Sequence, residues 1–334
     1  MKDLKKILII QTASLGDVIL ATPVIEKLQA FYPHAQIDFL SKKGNECVLK
    51  GHPKIHHLWL WDKSEHKKMH LLGLLMAIRD EKYELVVNLQ RFFSTGLLCA
   101  ASGAKQRIGF AKNPLSCFFS KRLPHSIKDG NSKHEIDRNL SLITSITDSS
   151  RYYPRLYPSV ADFAKVSALK MQAYICIAPA SLWFTKQLPE AKWVAFAKAF
   201  QEKYPEYMIY FLGGNEDKIL ADRIQKTAQL KNTANLCGSL SLLASAALLK
   251  DAQMNYVNDS SPAHLATSMN AKVCEIYCST VPAYGFTALS EQTHFIEVDG
   301  LSCRPCGLHG HKKCPKGHFL CGNQMDVQAM LDCM

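Results

Sequence analysis

The chain has 334 residues, 47% hydrophobic and 21% charged, the balance of a soluble globular protein with room for two cores. No apolar run approaches the roughly 18 residues of a membrane span, and residues 7–10 are too short for a secretory h-region, so a cytoplasmic location is expected. The net charge of +11 sits in the first half, where residues 1–158 hold 24 Lys and Arg against 14 Asp and Glu; that field points to an anionic partner, a lysine-rich solubilising surface being the plainer reading.

Residues 7–10 are a run of Ile and Leu that reads as a strand buried on both faces. Ser14-Leu-Gly-Asp17 follows at once, and apolar spacing then predicts a helix over 18–31. Further strands are expected at 37–40, 57–61, 84–88 and 107–110, with helices near 69–79, 95–101 and 135–146. Tyr152 to Pro158 carries two prolines and reads as an extended linker. The alternation then begins again. Strands are expected at 174–178, 208–212, 253–257 and 272–277, and helices at 191–203, 218–228, 242–249 and 263–268. Such alternation predicts an α/β chain of two doubly wound parallel sheets with a cleft between them. The domains are placed at 1–158 and 159–322, with a terminal helix within 323–334.

Ligands of open α/β folds bind outside the carboxyl ends of the strands. Four loops there have suitable side chains. Ser14, Gly16 and Asp17 follow the first strand; Asp17 is a candidate general base, and its plain reading is a capping box with Ser14. Ser181, Thr185 and Lys186 follow the strand at 174–178, where a lysine suits a phosphate and is otherwise a solvated surface charge. Gly213 and Gly214 let a ligand approach the backbone, and Glu216 or Asp217 could accept ribose hydroxyls or simply favour a helix start. Asp259, Ser260, Ser261 and His264 open a helix, with Ser261 read as N-cap and Pro262 as first helical residue; its free amides would take a diphosphate. Lys42, Lys43, Arg91, Lys105 and Arg107 are basic residues near strand ends, candidates to meet an anionic partner. Cys303, Cys306, Cys314 and Cys321, interspersed with His309, His311 and His318, have spacing compatible with a structural zinc site or with reduced thiols packing a small knob. There is no Asp-x-Asp metal motif.

The segments Ser14-Leu-Gly-Asp-Val-Ile-Leu-Ala-Thr-Pro23, Gly103-Ala-Lys-Gln-Arg-Ile-Gly-Phe110, His134-Glu-Ile-Asp-Arg138 and Asn258-Asp-Ser-Ser-Pro-Ala-His-Leu-Ala266, together with the cysteine tail, resemble glycosyltransferase family 9, the lipopolysaccharide heptosyltransferases. The resemblance implies a GT-B fold, an N-terminal acceptor domain, a C-terminal nucleotide-sugar domain and a last helix packed back on the first domain. It implies inverting transfer of a heptose from ADP-L-glycero-β-D-manno-heptose to the lipopolysaccharide inner core, with a lean toward a second-heptose type. Asp17 would be the base; Ser14, Gly16, Arg91 and Arg107 would meet the acceptor; Ser181, Thr185, Lys186, Gly214, Glu216, Asp217, Asp259, Ser260, Ser261 and His264 would hold the donor. No cofactor or metal is expected beside the ADP-sugar. The acceptor would be anionic lipid A bearing Kdo, met at the inner face of the cytoplasmic membrane by a monomer. Ser261 departs from the family's usual glycine. The alternatives are a GT-B enzyme using another nucleotide sugar, a nucleotide-sugar epimerase, or a basic nucleic-acid-binding protein with a zinc knob.

Overall fold

The computed structural model describes residues 4–127 and 133–334. The chain divides into two compact units at Tyr157 and Pro158. The first holds a six-stranded, all-parallel sheet of β1 (Lys6–Ile10), β2 (Gln36–Lys42), β3 (His57–Trp61), β4 (Leu85–Asn88), β5 (Gln106–Phe110) and β6 (Lys121–Leu123). Their order is β3-β2-β1-β4-β5-β6, so the chain reverses direction beside β1. The second repeats the plan with β7 (Tyr174–Ala178), β8 (Met208–Phe211), β9 (Thr233–Asn235), β10 (Asn255–Asn258), β11 (Val273–Tyr277) and β12 (Thr293–Glu297), in the order β12-β11-β10-β7-β8-β9. Each sheet therefore has a switch point, beside β1 or β7, where a crevice opens at the carboxyl edge.

The helices of the first unit are α1 (Leu15–Ile19), α2 (Thr22–Phe31), α3 (Lys67–Asp80), α4 (Phe93–Ala100) and α5 (Glu135–Ser141). The helix expected over 18–31 is broken in two. Pro23 lacks the N–H that would reach the Ile19 carbonyl, and the Thr22 hydroxyl donates to that carbonyl instead, at 2.7 Å. The second unit carries α6 (Val160–Val166), α7 (Glu190–Lys203), α8 (Lys218–Thr227), α9 (Leu242–Leu249), α10 (Ser261–Ser268), α11 (Leu320–Asn323) and α12 (Val327–Leu331).

α12 lies on α7, and Met330 and Leu331 join the core of the second unit with Trp193, Phe196 and Phe200. With five residues, α12 has one apolar face, and α7 already covers it. Phe196 is fully buried and stacks within 4.4 Å of the Tyr256 ring. Phe196→Ala is expected to cost about 3–5 kcal/mol, from lost transfer energy plus the cavity left behind, read as an earlier urea midpoint for the second unit.

Candidate active site

In the second unit, three loops converge at the carboxyl edge. Asn258, the last residue of β10, holds the loop after β7: its side-chain amide donates to the Pro179 carbonyl at 2.8 Å and accepts the Leu188 N–H at 2.9 Å. That stitching presents Lys186, whose Nζ lies 2.7 Å from the Asp259 carboxylate. Asp259 also accepts the Thr280 hydroxyl at 2.6 Å, from the loop after β11. Both members of the ion pair are mostly covered, so the pair is screened less than a surface pair would be. Below it, Glu275 on β11 is fully buried and accepts the Tyr277 hydroxyl and the Ala288 N–H. Burial, and then the Asp259 charge, push the Glu275 carboxyl well above the usual carboxylate range.

The helix that follows begins one residue earlier than a Ser261 N-cap requires. α10 runs from Ser261, so Ser260 is its N-cap, in extended conformation, and Pro262 is the second helical residue. The Ser260 hydroxyl does not cap; it donates back to the Asn258 carbonyl at 3.2 Å. Pro262 has no N–H and the Ala263 N–H donates to the Ser260 carbonyl at 3.0 Å, so an incoming acceptor would meet the Ser260 and Ser261 N–H groups, next in sequence to Asp259. His264 is buried on the first turn.

In the loop after β8, Asp217 is committed to structure. Its carboxylate accepts the Gly214 N–H at 2.8 Å, and burial raises its pKa. Among the described residues no hydrogen bond or ion pair engages Glu216, and a Cβ on Gly214 would lie only 2.7 Å from its carboxylate. Glycine here makes room for the acid. Glu216 and Asp217 line a groove of about 800 Å³ with Phe184, Gln187 and Phe319.

In the first unit, Ser14 caps α1 in a reciprocal box: its hydroxyl and N–H meet the Asp17 carboxylate at 2.6 and 3.1 Å. Gly16 is buried beside it, and Asp17 is partly exposed. Lys63, just past β3, donates to the Thr12 carbonyl and hydroxyl at 2.8 and 2.9 Å. Thr12 in turn donates to Gln90 at 2.8 Å, next to Arg91. Burial, then the charges of Lys67 and Lys42, lower Lys63 to about 8.

These loops have a family. The description glycosyltransferase family 9 (heptosyltransferase) matches residues 72–316. The chain belongs to glycosyltransferase family 9. It is 26% identical over 282 residues to lipopolysaccharide heptosyltransferase 3 of Escherichia coli, covering 79% of this chain and 81% of that one. Its fold matches a glycosyltransferase family 9 structure from Veillonella parvula with TM-score 0.76 at 22% identity, over 88% of this chain and 86% of the other. It matches E. coli ADP-heptose lipopolysaccharide heptosyltransferase II with TM-score 0.74 at 18% identity, over 98% and 99% of the two chains. The protein is a glycosyltransferase of GT-B fold, and the nucleic-acid-binding alternative falls away.

Within this family member, the structure gathers Thr185, Lys186 and Asp259 and adds Thr280 and Asn258, whose parts emerge only once strands are paired. Ser181 stays on the same β7 loop, its carbonyl accepting the Gln187 amide. Arg107 does not stand with the carboxyl-edge loops of its own sheet. It is the second residue of β5, near the amino edge of the sheet, where its guanidinium donates to the Phe118 and Ala104 carbonyls at 3.0 and 2.8 Å. Lys105 lies at the same wrong edge, 4.0 Å from Glu84. Lys42 ends β2 at the carboxyl edge, and Lys43 beside it pairs with Asp62 at 2.8 Å.

The cysteine tail forms a brace. The His311 N–H donates to the Thr185 hydroxyl at 2.7 Å, the Thr185 N–H donates to the His311 carbonyl at 3.1 Å, and the Cys306 N–H donates to the Ser279 carbonyl at 2.9 Å. Gly310, at φ +77°, leaves no space for a Cβ against Lys186. All twelve cysteines are free thiols. Cys306 and Cys321 feel the charges of Cys303 and Cys314, but among the described residues no group of three or more His, Cys, Asp or Glu could hold a metal ion.

Proposed function

We propose that this enzyme transfers a heptose from an ADP-heptose to the lipopolysaccharide inner core by direct displacement with inversion. The observation that carries the reading is the Lys186–Asp259 pair beside the start of α10. A diphosphate arriving there meets an ammonium, amide donors and the positive end of a helix dipole, which together stabilise the charge that grows on departing ADP. Glu216, not engaged by the backbone, is placed for the ribose, whereas Asp217 caps its own loop. Asp17 accepts the proton of the attacking hydroxyl. Lys63 and Arg91 in the basic first unit supply cations for the phosphates or Kdo carboxylates of the acceptor. The similar proteins carry heptosyltransferase types 3 and II in their names, so likeness alone does not choose the type.

Thermal shift against ADP, UDP, GDP and their sugars tests the donor. ADP compounds alone should raise the midpoint, by mass action on the folded state; equal shifts with UDP or GDP would sink an ADP-specific site. Product analysis with acceptor present should show one new glycosidic linkage, and an epimerised free nucleotide sugar would favour the epimerase reading. Because Lys186 and the α10 amides neutralise the diphosphate, turnover should persist in EDTA; loss of turnover with the fold intact would refute that account.

A further inference from the structure

We infer that the outward face of α3 docks on an anionic phospholipid bilayer. The inference extends the proposed reaction, which places the acceptor in a lipid, but its readout needs no sugar transfer. Between Lys68 and Arg79 the helix reads Met-His-Leu-Leu-Gly-Leu-Leu-Met-Ala-Ile, apolar nearly all round. Leu74 and Ile78 point inward and are buried. Met69, Leu72 and Met76, spaced three and four residues apart on the opposite side, are 71%, 62% and 55% exposed. A solvent-facing helix side normally carries polar residues at those positions; an apolar one needs a cover. Phe92 and Phe93 stand exposed at the start of α4, which packs against α3.

Charge chooses the cover. Lys67 and Lys68 occupy the first turn of α3, which has no acidic residue, and the N-cap residue His66 makes no side-chain cap bond. Cations at a helix N-terminus oppose the macrodipole, and the turn gains from an external anion. Lys63 lies close enough to Lys67 for their charges to repel, so it adds to the field at the first turn of α3. Nearby Asp62 is paired with Lys43, which leaves Glu65 as the opposing charge. Apolar side chains ringed by lysines match an interface of acyl chains beneath anionic headgroups. With fourteen residues, α3 would lie in that interface, and no helix among the described residues is long and apolar enough to cross it.

The test is co-sedimentation of the full chain with vesicles of phosphatidylglycerol in phosphatidylethanolamine, against vesicles of phosphatidylcholine alone. The wild type should sediment with the anionic vesicles and lose that binding in high salt. Met69→Gln, Leu72→Gln and Met76→Gln combined should lower the bound fraction at least about tenfold, with the thermal midpoint and the ADP-induced shift unchanged. Lys67→Glu with Lys68→Glu should do the same. Equal binding by the glutamine variant, or equal binding to phosphatidylcholine, would overturn the inference. A wild type that is dimeric and becomes monomeric on the glutamine substitutions would overturn it too, by making a second copy the cover. A missing ADP shift in the wild type would count against the proposed donor alone and leave the docking surface standing.

Discussion

Asp17→Asn is expected to lower turnover by ~10²–10⁴ while the ADP-induced thermal shift survives. The substitution keeps shape and removes the capacity to take a proton. The competing account is local: the Asp17 carboxylate closes a capping box with Ser14, and its loss could act through α1 alone. Ser14→Ala separates the two. It removes the 2.6 Å hydroxyl bond to Asp17 and the N-cap of α1, at about 0.5–2 kcal/mol, but leaves the carboxylate. If Asp17 is the base, Ser14→Ala loses stability with at most a modest loss of turnover, and Asp17→Asn loses far more turnover than stability. Parallel losses in both variants, or near-normal turnover in Asp17→Asn, would leave Asp17 a cap.

The box also bears on how legible this chain is. Ser14-x-x-Asp17 announced both roles at once, and the structure confirms the capping half while leaving the proton transfer to experiment. Central strands declared themselves because burial on two faces demands continuous apolar runs: β1 and β7 are inaccessible along almost their whole length. The strands that escaped notice are edges. β6 is Lys-Arg-Leu and β9 is Thr-Ala-Asn, three residues each, and β12 is largely half-exposed, so neither periodicity nor composition marks them. Lys186 was found because its loop follows a legible strand. Thr280 was not, since its hydroxyl matters only where the β11 loop comes beside Asp259. Lys63 is one of many lysines until folding puts it on Thr12. Arg107 shows the converse: proximity to a strand end does not say which end, and in a parallel sheet the ligand crevice opens at the carboxyl end, while Arg107 is the second residue of β5.

Lys186→Ala should lower kcat/KM for the donor by ~10²–10³, the range for removing one preorganised donor from a developing anion. Part of that loss has a distinct origin. With the ammonium gone, Asp259 remains, its side chain 9% exposed and held by Thr280, beside the space assigned to the diphosphate. Two anions then face each other in a poorly screened place, and the variant suffers repulsion as well as a missing attraction. Removing the carboxylate too should therefore help. Lys186→Ala combined with Asp259→Asn is expected to recover about tenfold, about 1.4 kcal/mol, over Lys186→Ala alone, since residues in direct contact do not act additively. Glu275 is buried beneath and committed to Tyr277 and Ala288, so Glu275→Gln in the Lys186→Ala background should recover nothing. Strict additivity in the double variant would mean that Asp259 does not face the donor, and that Lys186 holds the phosphates from another side.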